Sequence, residues 1–199
     1  MTPAGYMAKR VASKPDWLKA NGVKEIYSVS GCISKYLADY IDFWKHNGYW
    51  LFDSPDIIGQ IAQEHGIELA STTMFYYEVY EQVYDEAKTQ WISYGPEPSF
   101  KTTVHIPEHK VLAGFDVVNS VCCNSPECSL LSCNALADEI QTNAHCLLPD
   151  LETAQSLLEA GRVNDTEPGP YRIYAVYTVQ ESLLTSSLDA RWDVLYHQT

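Results

Sequence analysis

Two stretches alternate apolar and polar residues at a period of two: MFYYEVYEQVY at 74–84 and YRIYAVYTV at 171–179. That period, with β-branched and aromatic residues, predicts long strands. In the first, Phe75, Tyr77, Val79 and Val83 share one face, and Met74, Tyr76, Glu78 and Tyr80 share the other. VKEIYSVS (23–30) and GFDVVNSV (114–121) read as shorter strands, and YWLF (49–52) and His145 to Leu148 as short buried ones.

A period near 3.6 governs the intervening segments. Leu37, Ile41 and Trp44 mark a helix opened by Ser34 and stopped at Gly48. Ser54-Pro55 opens a second, with Ile57, Ile58, Ile61 and Ala62 as its buried stripe and Gly66 as its end. Asn134 to Ile140 and Leu151 to Ala160 read as helices, the latter capped by Asp150 and ended by Gly161. DEAK (85–88) turns the chain so that TQWISY (89–94) pairs back as a hairpin, and ARWDVLYH (190–197) is its counterpart. KTTVHI (101–106) reads as an extra strand.

The pattern is written twice. SKYLADYI (34–41) matches CNALADEI (133–140), WLFDSPDIIGQIAQEH (50–65) matches CLLPDLETAQSLLEAG (146–161), and MFYYEVY (74–80) matches YRIYAVY (171–177). The order is kept, so the expected fold is α+β: a tandem duplication of a βαβαββ unit, a two-layer α/β sandwich in each half, related by a pseudo-two-fold. The expected boundaries are 1–94 for the first repeat, with an N-terminal extension at 1–22, then a linker at 95–113, then 114–199 with a Cys-rich insertion at 122–132.

Composition narrows the function classes. The net charge of −13 opposes direct binding to a nucleic-acid backbone and suits a basic protein partner. No apolar run reaches membrane-spanning length, and no secretion signal is read at the N-terminus, so a cytoplasmic protein is expected. Glycine-rich phosphate loops and the GxSxG elbow are absent from the sequence.

Chemistry concentrates in the cysteines. Five of the six lie between 122 and 146. Cys123, Cys128, Cys133 and Cys146 could supply four thiolates to zinc, although the spacing touches only the edge of the usual paired pattern. Cys133, expected at a helix N-terminus, is the candidate nucleophile, with His145 or His105 as its base. His105 and His109 are four apart but are separated by Pro107, which denies them one helix face. Tyr76, Glu78 and Tyr80 form the candidate binding face.

The favoured expectation is a non-catalytic acidic interaction protein that binds and inhibits or neutralises a protein partner. Immunity proteins, antitoxins and anti-defence inhibitors share that small, acidic character. No cofactor is expected, zinc being the one the cysteines could hold. The alternative is an enzyme, or a protein binding a small ligand or metal, with a Cys/His site where the repeats join.

Overall fold

The computed structural model describes residues 1–33, 47–93, 95, 102–120, 128–163 and 166–179, and residues 35–36 by their backbone alone. The fold is α+β. Strands β1 (Thr2–Arg10), β2 (Ala12–Ser13), β3 (Glu25–Ile26) and β4 (Lys35–Tyr36) precede helix α1 (Pro55–His65). Then come β5 (Thr73–Val79), β6 (Gln82–Asp85), β7 (Gln90–Ser93), β8 (Lys110–Asn119), helix α2 (Leu151–Glu159) and β9 (Tyr171–Val179). One seven-stranded sheet follows the order β4-β1-β5-β9-β6-β7, with β8 also on β9; β2 and β3 pair separately. The described pairings are antiparallel. Because β5 pairs with β9, both halves of the chain contribute to one sheet.

Local chemistry explains the helices. Ser54 accepts a hydrogen bond from the Ile57 N–H, and Pro55 takes the first turn, where its missing N–H costs nothing. Asp150 accepts from the Thr153 N–H in the same way. Burial pays out along one stripe of each: Ile58, Ile61 and Ala62 in α1, and Ala154, Leu157 and Leu158 in α2.

Register sorts the sheet into two faces. Lys9, Met7, Phe75, Tyr77, Val176, Tyr174 and Asp116 lie on one, and Tyr6, Tyr76, Ala175 and Phe115 on the other. Helix α2 packs with Phe115, Val117, Ile173 and Ala175.

Two bulges anchor the sheet to the loops that precede the helices. The β1–β5 register slips between Pro3 and Gly5, and the β8–β9 register slips between Leu112 and Gly114. A bulge leaves a residue unpaired in the ladder. The spare Ala4 carbonyl accepts from Asn47 Nδ2 at 2.7 Å, and the spare Ala113 carbonyl accepts from Asn143 Nδ2 at 2.7 Å. Each Asn side-chain oxygen then takes two backbone N–H groups of its own loop, Tyr49 and Leu51 in one and His145 and Leu147 in the other. The loops close on the strands through Tyr6–Phe52 and Phe115–Leu148 bridges. Glycine is required at both bulges: φ is +132° at Gly5 and +146° at Gly114, and loop atoms crowd the space a Cβ would need.

Several expectations change. The strand expected at 23–30 is reduced to Glu25–Ile26, because the backbone beyond it is spent elsewhere. Tyr27 N–H donates to the His145 carbonyl, Val29 N–H to Asp116, and the carbonyls of 28–30 turn toward Lys9. The sheet strand is instead β1, in the stretch read as an extension. Residues 49–52 and 145–148 form tight loops with one bridge each, not strands, with Trp50 at φ 59° and Cys146 at φ 63°. The strand expected at 74–84 breaks at Tyr80 and Glu81 into β5 and β6. The helix expected at 134–140 is a three-residue 3₁₀ turn, Leu136–Asp138. Residues 102–107 are not a strand; the N–H groups of Thr103 and His105 donate to Asp53. Lys35–Tyr36, expected as helix, pair with β1. The rest of that helix (37–46) and the 190–197 hairpin lie outside the described residues.

Candidate metal centre

Three thiols meet on the sheet face that carries Lys9 and Asp116. The sulfurs of Cys32, Cys128 and Cys133 all lie within 4.8 Å of one another. Cys32 and Cys128 are 3.1 Å apart. Among the described residues, this is the one group of three or more His, Cys, Asp or Glu side chains placed to share an ion.

The thiols arrive on two segments, each pinned to the sheet. Cys32 follows the 28–30 segment, whose three carbonyls surround Lys9 Nζ: Ser28, Val29 at 2.9 Å and Ser30 at 2.6 Å. Asp116 holds the same segment by accepting from Ser28 Oγ at 2.6 Å and Val29 N–H at 3.1 Å. Its other oxygen accepts from Ser129 Oγ at 2.7 Å, in the second segment. That segment docks on the end of β8: Asn119 N–H donates to the Cys128 carbonyl and Asn119 Oδ1 accepts from the Cys128 N–H. Cys133 is fixed by its N–H bond to the Ser129 carbonyl. A single buried carboxylate thus ties together the two segments that bear the thiols.

Both charges are fully buried. Burial pulls Lys9 down to about 7, while the Asp116 carboxylate opposes the shift. Three carbonyl acceptors match the three protons of an ammonium group, so the geometry is built for the cation. Burial pushes the Asp116 carboxyl up, and its donors from Ser28, Ser129 and Val29 pull it back. Among the thiols, the hydrogen bond from Cys133 lowers Cys32. That bond raises Cys133 in turn, with burial adding to the effect, and burial raises Cys128. Cys32 is exposed and the other two are half-buried, so solvent reaches the cluster from the Cys32 side.

The distances suit a thiolate centre. Zn–S bonds near 2.3 Å at tetrahedral angles put sulfurs about 3.8 Å apart. Opening the Cys32–Cys128 pair by less than 1 Å, about the motion of one side-chain adjustment, reaches that spacing. Three thiolates leave one position of a tetrahedron for a further ligand.

The residues singled out from the sequence are distributed as follows. Cys128 and Cys133 are in the cluster. Cys123 lies outside the described residues. Cys146 is buried among Leu136, Ala137 and Leu148, and burial pushes its thiol up to about 12. Cys133 lies three residues before a 3₁₀ turn, not at the N-terminus of an α-helix as expected. His145 points its Nδ1 at Glu25, 3.0 Å away, and stacks on Tyr27. Tyr76 is fully buried against Tyr6 and Tyr177. Glu78 accepts from the Tyr177 hydroxyl at 3.0 Å and pairs with Lys110. Tyr80 sits past the strand break, edge-on to Trp91. His105 is held by its backbone, between Asp53 and the Tyr6 hydroxyl.

Sequence reasoning missed Cys32, Lys9 and Asp116. Cys32 stands 96 residues before Cys128, and no local spacing joins them. Lys9 lies in the stretch expected as an extension, and the partners of Asp116 at 28–29 and 129 are not its sequence neighbours.

No protein-family model, curated protein or solved structure matches the chain. No helix among the described residues is long and apolar enough to cross a membrane.

Proposed function

We propose that this chain is a zinc-binding protein whose thiolate centre clasps its two halves. The observation that carries this is the convergence of Cys32, from the first half, with Cys128 and Cys133, from the second. Thiolates are soft ligands that favour zinc among the common divalent ions.

The chain is also read as a tandem duplication with a pseudo-two-fold. Support comes from the matched bulge contacts of Gly5 and Gly114 and from the β5–β9 register. Gly5 pairs with Tyr77 and Gly114 with Val176, and Tyr77 pairs with Val176. The flanking pairs Tyr76–Tyr177 and Glu78–Ala175 exchange under a two-fold through that point, which shifts the sequence match of 74–80 with 171–177 by two residues along β9. Each half then starts at its bulged strand, and the thiols sit in the two corresponding connections, before Asn47 and before Asn143.

Metal analysis of the purified, zinc-reconstituted protein tests the centre. About one equivalent is expected, lost in Cys32→Ser, Cys128→Ser and Cys133→Ser and kept in Cys146→Ala. Less than about a tenth of an equivalent in the parent protein would defeat the reading, since structural sites bind tightly.

A second reading, an acidic interaction protein that neutralises a protein partner, is favoured by the charge of −13 and by one exposed edge. Val111 and Leu112 of β8 are 64% and 46% exposed. They border an open groove of about 380 Å³ that includes Tyr27 and His145. Binding of a basic partner that ignores both salt and Val111→Asp would sink this second reading.

A further inference from the structure

We propose that the centre is a peroxide-responsive switch in which Cys32 and Cys128 form a disulfide and expel the metal. The proposal rests on the zinc reading for the expulsion, while the choice of disulfide partners stands on geometry of its own.

The two sulfurs are 3.1 Å apart, inside the roughly 3.6 Å of ordinary sulfur contact and about 1 Å from a bond length near 2.05 Å. They are held there from below. Lys9 and Asp116 fix the segment before Cys32, and Asn119 clamps Cys128 through both of its backbone groups. The two sulfurs therefore start about 1 Å from bonding distance on segments that are already anchored. Cys32 is exposed, so a small oxidant reaches it first, whereas Cys133 is half-buried with Ser30 Oγ 3.7 Å away. An exposed thiolate beside a second thiol is the arrangement that redox sensors use.

The chemistry balances with hydrogen peroxide as oxidant. The Cys32 thiolate attacks one peroxide oxygen; an S–O bond forms, the O–O bond breaks, and the leaving hydroxide takes a proton to become water. Cys128 sulfur then attacks the Cys32 sulfenic acid. An S–S bond forms, the S–O bond breaks, and a second water departs. Two thiolates, one peroxide and two protons from solvent give one disulfide and two waters, and two electrons pass from sulfur to oxygen. Zinc keeps only Cys133 of its three thiolates and is released. The bridge closes a connection between the halves that the metal had made.

The test uses full-length zinc-loaded protein. Peroxide is added, zinc release is followed with a chromogenic chelator, and the disulfide is mapped by mass spectrometry of non-reduced peptides. Expected are one zinc released per Cys32–Cys128 bridge and recovery of binding after dithiothreitol and zinc. Metal-free Cys128→Ser should stop at a dimedone-reactive Cys32, at least tenfold more of it than in the metal-free parent protein, where Cys128 resolves the sulfenic acid. A bridge from Cys32 to Cys133 or to Cys146 overturns the proposal, as does zinc release with no bridge. Protein that holds no zinc sinks the metal reading alone. Peptide mapping of that metal-free protein still decides the disulfide: a Cys32–Cys128 bridge sustains it, and any other product rejects it.

Discussion

Replacing Gly114 with alanine should destabilise the protein by about 4 kcal/mol. A Cβ at this position would lie 2.7 Å from Leu147 Cβ, 2.7 Å from the Leu148 carbonyl and 3.1 Å from Asn143 Nδ2. The first two belong to backbone or to a side-chain root, so neither can swing aside. The loop must back away from β8, which strains the Asn143 bond to the Ala113 carbonyl and the Phe115–Leu148 bridge. The backbone adds its own cost, because φ of +146° is a conformation L-residues rarely adopt. Strain of about 1–3 kcal/mol and overlap of about 1–3 kcal/mol give the sum. Gly5 meets the same situation, with Phe52 O at 2.7 Å, Leu51 Cβ at 2.8 Å and φ of +132°, so Gly5→Ala should cost about as much. Gly59, inside α1 with nothing within 4 Å of its position, is the opposite case. Gly59→Ala should stabilise by about 0.5–1 kcal/mol through helix propensity. Urea denaturation with a shared m-value measures all three. A loss below about 1 kcal/mol at Gly114 would refute the close approach, given the size of the two terms. Costs at Gly5 and Gly114 that differ by more than about 2 kcal/mol would count against treating the two bulges as counterparts.

The buried charges should behave as a unit. Lys9→Met and Asp116→Asn should each cost about 3–5 kcal/mol in denaturation, since each strands a charge or its partners, and the double variant should lose clearly less than the sum; simple additivity would refute the coupling. Lys9 is held down near 7 when folded and titrates near 10.5 when unfolded. Between those values the unfolded chain binds more protons, so this group makes stability rise with pH from about 7 to 10.5. Lys9→Met should remove that rise, and an unchanged stability profile across the window would contradict the lowering of Lys9 by burial.

Elements with local causes were legible from the residues alone. Ser54-Pro55 and Asp150 carry their capping chemistry in neighbouring side chains, and α1, α2 and β9 follow from them and from the apolar period. The β6–β7 hairpin was legible for the same reason: Asp85 to Thr89 turns the chain within a few residues. By contrast, β1 was hidden. TPAGYMAKR has a proline, a glycine and two cations, and its Lys9 is buried only because three carbonyls from residues 28–30 surround it. The matching AGY and AGF tripeptides at 4–6 and 113–115 were the available clue, since the bulge geometry needs that glycine in both.

Sequence by itself determined the α+β class, the two capped helices and strand β9, because each depends on residues a few positions apart; it nominated Cys128 and Cys133 without bringing them together. Tertiary structure alone decided that the halves join through β5 and β9, that Tyr76 is core, and that Cys32 rather than Cys146 stands beside Cys128 and Cys133. The physical reason is the same in each case. Backbone donors and acceptors left over by bulges and loops, and two charges removed from water, had to find partners across the fold, and those partners carried Cys32 to the other thiols.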